Sequence, residues 1–225
     1  MTYDNKTILI SGASSGIGAA LASELAKRGA TVYAIDKTRP DKAIDSVDYL
    51  LADLTDIDQT RSALSSIKNT IDVLINNAGI MRRGTILDAT EEDFDLLIQN
   101  NLKSSWLLLK LVEPLLSEAA TVVQISSGHA LKPEADPGLY TLTKMATAAL
   151  AEILALTRPN LHVKTVYPGP VLTPLLLSSR SLNDQERIKK IATKPTDFAK
   201  NVADFIQSDG NTLQFDNDSW SYKIY

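Results

Sequence analysis

The sequence predicts an α/β protein organised around a parallel sheet, and three observations predict it. Short apolar, β-branched runs alternate with longer stretches of helical period along most of the chain. The runs are nearly unbroken in their apolar character, as strands buried on both faces must be. The first of them, Lys6 to Ser11, enters a turn that opens directly onto a helix, with periodic apolar residues from Ile17 to Leu25. That turn, through Gly12, Ser14, Ser15, Gly16, Ile17 and Gly18, is a candidate pyrophosphate cradle. Glycine lets a ligand approach the main chain, and the unpaired N–H groups of a helix start attract phosphate. The G-x-x-x-G-x-G spacing differs from the common G-x-G-x-x-G fingerprint, and a glycine-rich turn with no ligand has the same look.

The chain has 225 residues, 44% of them hydrophobic, which suits a single domain over residues 1–225 with a sizeable core. A formal charge of −4 offers no basic face to nucleic acid. The short cluster Arg187, Lys189 and Lys190 reads as a solvated helix face. With no cysteine and two histidines, a disulfide framework, thiolate chemistry and a Cys/His zinc site are all excluded. No charged-then-apolar leader opens the chain and no apolar run approaches membrane length, so a cytoplasmic protein with no membrane partner is expected.

A second strand, Thr31 to Ile35, ends at Asp36. A carboxylate there accepts hydrogen bonds from ribose hydroxyls and repels a 2′-phosphate, so NAD(H) is favoured. Lys37 and Arg39 just beyond keep NADP(H) possible, and a plain strand-end turn residue is the bland reading of Asp36. Val47 to Leu51 is a third strand, closed by Ala52-Asp53-Leu54; Asp53 suits either an adenine contact or a helix cap before the amphipathic helix of Thr55 to Ile67. Ile71 to Ile75, the fourth strand, runs into Asn76-Asn77-Ala78-Gly79, where small residues let a cofactor pass and amides tie strands together.

A long helix starts at the N-cap Thr90, followed by Glu91, Glu92 and Asp93, and continues to Val112. Asn100 and Asn101 interrupt its apolar run, and a buried Asn needs partners, so at least one of the two has a role. The breadth of its apolar surface, Trp106 included, suggests a subunit contact. Thr121 to Ile125 is a fifth strand, followed by Ser126-Ser127-Gly128-His129, a turn-rich loop and a helix of small residues from Leu139 to Leu156. Leu161 to Val166 is a sixth strand, leading to Tyr167 through Pro174. Residues 174–194, apolar at first and charged later, fit a flap over a site, and a final helix begins at Pro195.

Tyr140 and Lys144 stand on one face of a helix. A free tyrosine, with pKa about 10, is a poor base at neutral pH; a nearby ammonium favours the phenolate. The Ser127 hydroxyl, at the end of the neighbouring strand, can hold the same substrate oxygen. Y-x-x-x-K alone is more often a surface pair, and context reverses that reading.

In order along the chain, Ser11-Gly12-x-x-x-Gly16-Ile17-Gly18, Asn76-Asn77-Ala78-Gly79, Asn101, Ser127, Tyr140-x-x-x-Lys144 and Pro168-Gly169-x-Val171-x-Thr173 resemble the motifs of the short-chain dehydrogenase/reductase family. The resemblance implies a Rossmann-type doubly wound parallel sheet of order 3-2-1-4-5-6 with helices on both faces. It also implies reversible hydride transfer between a nicotinamide and a small-molecule carbonyl or secondary alcohol, and a homodimer or homotetramer. Tyr140 would be the general acid/base, Ser127 would orient the substrate oxygen, Lys144 would bind the nicotinamide ribose, and Asn101 would support a water-linked proton path to Lys144. The cofactor would meet the glycine turn, Asp36, Asp53, Leu54, Asn77, Ala78 and Gly79, with Pro168, Gly169, Val171 and Thr173 at its nicotinamide end. The tail departs from the family pattern: Leu213 to Phe215 runs into Asp216-Asn217-Asp218-Ser219-Trp220, which puts a seventh strand in doubt. The different class of function that this reading competes with is a non-catalytic NAD(H)-binding sensor or scaffold. For substrate, Leu175 to Leu177 with Ile80 and Met81 suggest an apolar compound, while Arg82 and Arg83 would suit an anionic tail.

Overall fold

The computed structural model of the chain describes residues 2–178 and 182–225. Among these residues one sheet has eight strands: β1 (Thr7–Ser11), β2 (Thr31–Asp36), β3 (Val47–Leu51), β4 (Ile71–Asn76), β5 (Leu116–Ile125), β6 (His162–Tyr167), β7 (Thr212–Asp216) and β8 (Ser221–Ile224). Their spatial order is β3-β2-β1-β4-β5-β6-β7-β8, parallel through β7, with β8 antiparallel to β7. The expected doubly wound order holds for the first six. The order reverses between β1 and β4, and the helices cover both faces, so the crevice at the carboxyl ends of these two strands is where such folds bind ligands.

Alternation along β1 shows how the two layers are built. Ile8 and Ile10 face one side with Leu21 and Leu25 of α1 (Gly16–Lys27) and with Phe198, Val202 and Phe205 of the last helix (Pro195–Ile206). Leu9 faces the other side with Leu64 of α2 (Ile57–Leu64) and with Leu108 and Val112 of the helix Ser104–Val112. All three β1 side chains are fully buried, which explains the unbroken apolar run.

Four sequence expectations are revised. The helix from Thr90 is not continuous: α3 (Glu91–Leu97) passes into a π-helical turn, Ile98–Lys103, before α4 (Ser104–Val112). The widened turn coincides with Asn100 and Asn101, whose side chains bond to groups on and off the helix in competition with its own ladder. The fifth strand starts earlier than its apolar run, at Leu116, with a register irregularity opposite Ile71 and Val73. The tail does form a seventh strand and adds an eighth. Leu213 and Phe215 point inward from β7, and Asp216 closes the connection to β8 by accepting from Ser219 N at 2.8 Å and Asp218 N at 3.0 Å. The flap expected at 174–194 contains α7 (Pro174–Ser178) and α8 (Leu182–Ile191), and its residues 179–181 lie outside the described residues.

The fourth revision concerns α6 (Gly138–Thr157), after the short α5 (Gly128–Leu131). Its 20 residues are long and apolar enough, by length and composition, to span a membrane. It is a core helix by its packing: Tyr140, Thr143, Lys144, Thr147 and Ala151 are buried on the face turned to the protein. Its outer face carries Leu142, Met145, Ile153 and Leu156, and with Phe94 and Trp106 of α3 and α4 it leaves large apolar side chains in solvent. The last helix is α9 (Pro195–Ile206).

The carboxyl ends of β1 and β4 are cross-linked. Fully buried Ser11 accepts at Oγ from Asn77 N (2.9 Å) and Ala78 N (3.1 Å), and Asn77 Nδ2 donates to the carbonyls of Ser11 and Gly12. Ser11→Ala strands two N–H groups and is expected to cost about 2 kcal/mol of stability, measured by denaturant unfolding. Ser11→Thr keeps the hydroxyl and is expected to lose less than half of that.

Candidate active site

The glycine turn leads into the start of α1, where Ser15 occupies the N-cap position without a side-chain capping bond and no acidic residue stands in the first turn. The N–H groups of Gly16, Ile17 and Gly18 therefore have no intrahelical acceptor. They open onto a cleft of about 280 Å³. Gly12 has φ +67° and Gly16 φ +56°, in the left-handed region. Space is also short: a Cβ on Gly12 would stand 2.7 Å from Ala78 Cα, and one on Gly18 would stand 2.1 Å from Gly12 O. Gly12 is thus demanded by the close approach of β1 and β4 and Gly18 by that of α1 to the turn before it, and the result is a bare helix start facing a cavity, which suits a phosphate group.

The cleft is lined from one end by Asp36, Lys37, Thr38, Ala52, Asp53, Leu54 and Thr55, at its middle by Gly12, Ser14, Ser15, Gly16 and Ile17, and at its far end by Asn77, Ala78, Gly79, Ile80, Asn100, Ser104, Thr173, Pro174 and Leu175. Asp36 is pinned across the turn, accepting at Oδ2 from Ser14 N at 2.9 Å. Asp53 is a turn residue: its Oδ1 accepts from Thr55 N and Thr55 Oγ1, which lowers its pKa, and the N-cap of α2 is Asp56 instead. Pro168, Gly169 and Val171 stand behind Thr173 rather than on the cleft wall, Val171 being buried in the core.

Beyond the far end lies a polar cluster in an apolar surround. Asn101, on the π turn and 1% exposed, accepts at Oδ1 from Ile80 N (2.8 Å) and donates through Nδ2 to Ile80 O (3.0 Å) and Thr143 Oγ1 (2.9 Å). It thereby fixes the chain after Gly79 to α6. A Cβ on Gly79 would lie 3.2 Å from Asn101 Oδ1 and 3.5 Å from Lys144 Nζ, so this glycine is the thin wall between the cleft and the lysine. Lys144 is buried, donates to Ile125 O at 3.1 Å, and places its Nζ 5.8 Å from the centre of the Tyr140 ring. Ser127, at the N-cap of α5, stands beside the Tyr140 phenol with its Oγ accepting from His129 N at 3.3 Å, and His129 sets its ring edge-on to that of Tyr140 at 6.1 Å.

Electrostatics depart from the sequence expectation. Burial pushes the Tyr140 phenol up to about 12, while the Ser127 hydroxyl pulls it the other way; burial pushes Lys144 down to about 8. Desolvation acts on both groups because both are enclosed, and it disfavours the charged form of each. Tyr140 is thus held in its neutral, protonated form. Arg82 and Arg83 are also not free for an anion: Arg82 lies 3.8 Å from Asp93, and Arg83 pairs with Asp136 at 2.6 Å.

Residues 6–184 match the family model described as short chain dehydrogenase. The chain belongs to the short-chain dehydrogenase/reductase family. As a member it binds a nicotinamide cofactor and is an oxidoreductase acting at a CH–OH or C=O carbon. Among its relatives, the oxidoreductase UcpA of Salmonella typhimurium is 33% identical over 208 residues, covering 84% of this chain and 78% of that protein. The 3-oxoacyl-acyl-carrier-protein reductase FabG of Thermotoga maritima is 31% identical over 191 residues, covering 78% of each. In structure, the 3-ketoacyl-(acyl-carrier-protein) reductase of Brucella melitensis, solved as a complex with NADH, matches with a TM-score of 0.78 at 26% identity, covering 92% of this chain and 93% of that one.

Sequence reading missed Thr38, Thr55, Asn100 and Ser104 as members of a short-chain dehydrogenase cleft and read Lys37, with Arg39, only as a cation that keeps NADP(H) possible. A signal existed for Asn100 and Ser104, polar residues in an apolar helix; they are linked by a Ser104 Oγ bond to Asn100 O. The other three are ordinary loop residues brought to the cleft by the sheet edge. One stability prediction follows from Lys144. Its folded-state pKa lies below the ordinary 10.5, so the native protein gains on the unfolded chain as pH rises from about 8 toward 10.5. Lys144→Met lacks this gain: thermal melts should show the variant no less stable than the parent at pH 7, with the difference moving in the parent's favour across that window.

Proposed function

We propose that the protein is an NAD(H)-preferring dehydrogenase or reductase of a small carbonyl or secondary alcohol, with Tyr140 as its general acid/base. The observation that carries this reading is the buried phenol of Tyr140, beside Ser127 and flanked by Lys144, behind Gly79 at the far end of the cleft. When bound, the nicotinamide cofactor supplies the hydride donor or acceptor. The α1 N–H groups take its phosphates and Asp36 its adenosine ribose, while the Asp36 carboxylate opposes a 2′-phosphate. Lys144 and Thr173 face the nicotinamide half. In the reducing direction the Tyr140 phenol donates its proton to the substrate oxygen, and the Ser127 hydroxyl orients that oxygen. In the oxidising direction the Tyr140 phenolate accepts the alcohol proton, helped by the Lys144 charge. Asn101, on the π turn and bonded to Thr143 of α6, supports the water-linked path that restores the proton at Lys144.

The lining of Ile80 and Leu175, with both nearby arginines already paired, favours an apolar or partly apolar substrate over an anionic one. A 3-oxoacyl thioester fits that chemistry, and it is the substrate class named for the Thermotoga maritima relative. The apolar side chains that α3, α4 and α6 leave in solvent support a homodimer or homotetramer. A non-catalytic NAD(H) sensor is the competing class, and the intact Ser127, Tyr140 and Lys144 set argues against it.

Tyr140→Phe should lower turnover at least about 1,000-fold while leaving NADH binding within about twofold. Retained turnover refutes the assignment, and hydride transfer by the parent protein with any carbonyl excludes the purely sensory class. Because Tyr140 sits at about 12, alcohol oxidation should rise with pH from 6 to 8, where Lys144 keeps its charge, whereas carbonyl reduction should not, read from initial rates in both directions. Fluorescence titration should show NADH bound more tightly than NADPH, with the preference relaxed in Asp36→Ala; tighter NADPH binding would assign the choice to Lys37.

A further inference from the structure

The connection between β7 and β8 holds a residue whose backbone is unfavourable for its side chain. Trp220 has φ +50°, a conformation that costs a bulky residue about 1 kcal/mol and that glycine or asparagine adopts more readily. Asn217 stands three positions earlier in the same connection. The indole is also 47% exposed, so burial does not explain it. What the position achieves is a bond: Trp220 Nε1 donates to Ile191 O at 3.1 Å, at the end of α8.

Two further aromatic rings of the hairpin reach the same region. Phe215 packs edge-on to Trp220 at 5.1 Å and covers Gly169 so closely that a Cβ there would stand 2.4 Å from the ring. Tyr222 lies between Phe198 and Phe215, at 5.3 and 5.2 Å. Its hydroxyl oxygen accepts from Gly169 N at 3.3 Å and stands beside the Thr193 side chain, which counters the rise that burial gives its pKa. Thr193 in turn binds both sides of Val171, donating to Pro170 O at 2.9 Å and accepting from Leu172 N at 2.9 Å. The strand of chain from Gly169 to Leu172 is thus clamped from the side away from the cleft. It delivers Thr173, 7% exposed, to the cleft wall against Gly16.

We propose that Tyr222 and Trp220 are positioning residues: through Gly169, Thr193 and Ile191 they set the placement of Thr173, and with it the grip on the nicotinamide half of the cofactor. This rests on the cofactor reading above and adds to it a function for the part of the chain that departs from the family pattern. The hairpin acts on the cleft without touching it. A purely structural hairpin, one that only covers the sheet edge, would affect stability and every ligand alike.

Ring-conserving variants separate the two. Tyr222→Phe removes one hydroxyl, Thr193→Val removes its partner, and Trp220→Phe removes the indole donor, while the packing of Phe215 and Phe198 is retained. The probes are NADH and ADP, which lacks the second ribose and the nicotinamide. We expect each variant to bind NADH about fivefold more weakly, the size of one lost hydrogen bond, with ADP affinity within about twofold of the parent. The Tyr222→Phe/Thr193→Val pair should be non-additive, because both remove the same link. Equal weakening of ADP and NADH, or unchanged NADH affinity in the folded variants, overturns the proposal. A parent protein that binds neither probe overturns the cofactor reading first and this one with it.

Discussion

The constraint on which the site depends is the close approach of two strand ends. β1 and β4 lie side by side at the point where the sheet order reverses, and Gly12 passes Ala78 with no room for a side chain. Ser11 and Asn77 satisfy the main-chain groups that this contact would otherwise strand. With the strand ends tied, the N-terminus of α1 is aimed at the crevice between them, and Gly79 and Ile80 are carried to the foot of α6. A substitution that widened this contact would disturb the glycine turn and the Tyr140–Lys144 cluster together.

The Tyr140 and Lys144 end of the cleft is maintained against a local energetic cost. Enclosing Lys144 and Tyr140 disfavours the charged form of each, and the cluster compensates with the Ile125 carbonyl and the Ser127 hydroxyl. Asn101 adds a rigid brace rather than a charge. Its carboxamide is fully engaged by Ile80 and Thr143, which calls for a side chain aimed off the helix axis, and the π turn supplies that aim. Desolvation thus collects around Tyr140 and Lys144, while the two apolar layers of the sheet provide the stability that tolerates it.

The opposite wall of the cleft is held differently. Thr173 is not secured by the sheet but by a relay through Thr193 and the aromatic side chains of the β7–β8 hairpin, elements far apart in sequence. A chain with the same motifs up to Thr173 and another tail would present the same residue from a different support.

By itself the sequence determined the succession of the first six strands, the glycine turn with its bare helix start, and the shared helix face of Tyr140 and Lys144, because each depends on spacing within one strand, turn or helix; Ser127 joined them through the motif context. The strand order was legible only through the family resemblance, and the role of Asn101 only as a polar interruption that needed partners. The tertiary structure decided the rest. It turned the expected lowering of the Tyr140 pKa into a rise, since burial is a property of everything packed around a group. It engaged Arg82 and Arg83 with Asp93 and Asp136, made a strand of Leu213 to Phe215, and brought Tyr222 to Gly169. Those outcomes are pairings between distant segments, and local periodicity carries no record of which distant segment a side chain will meet.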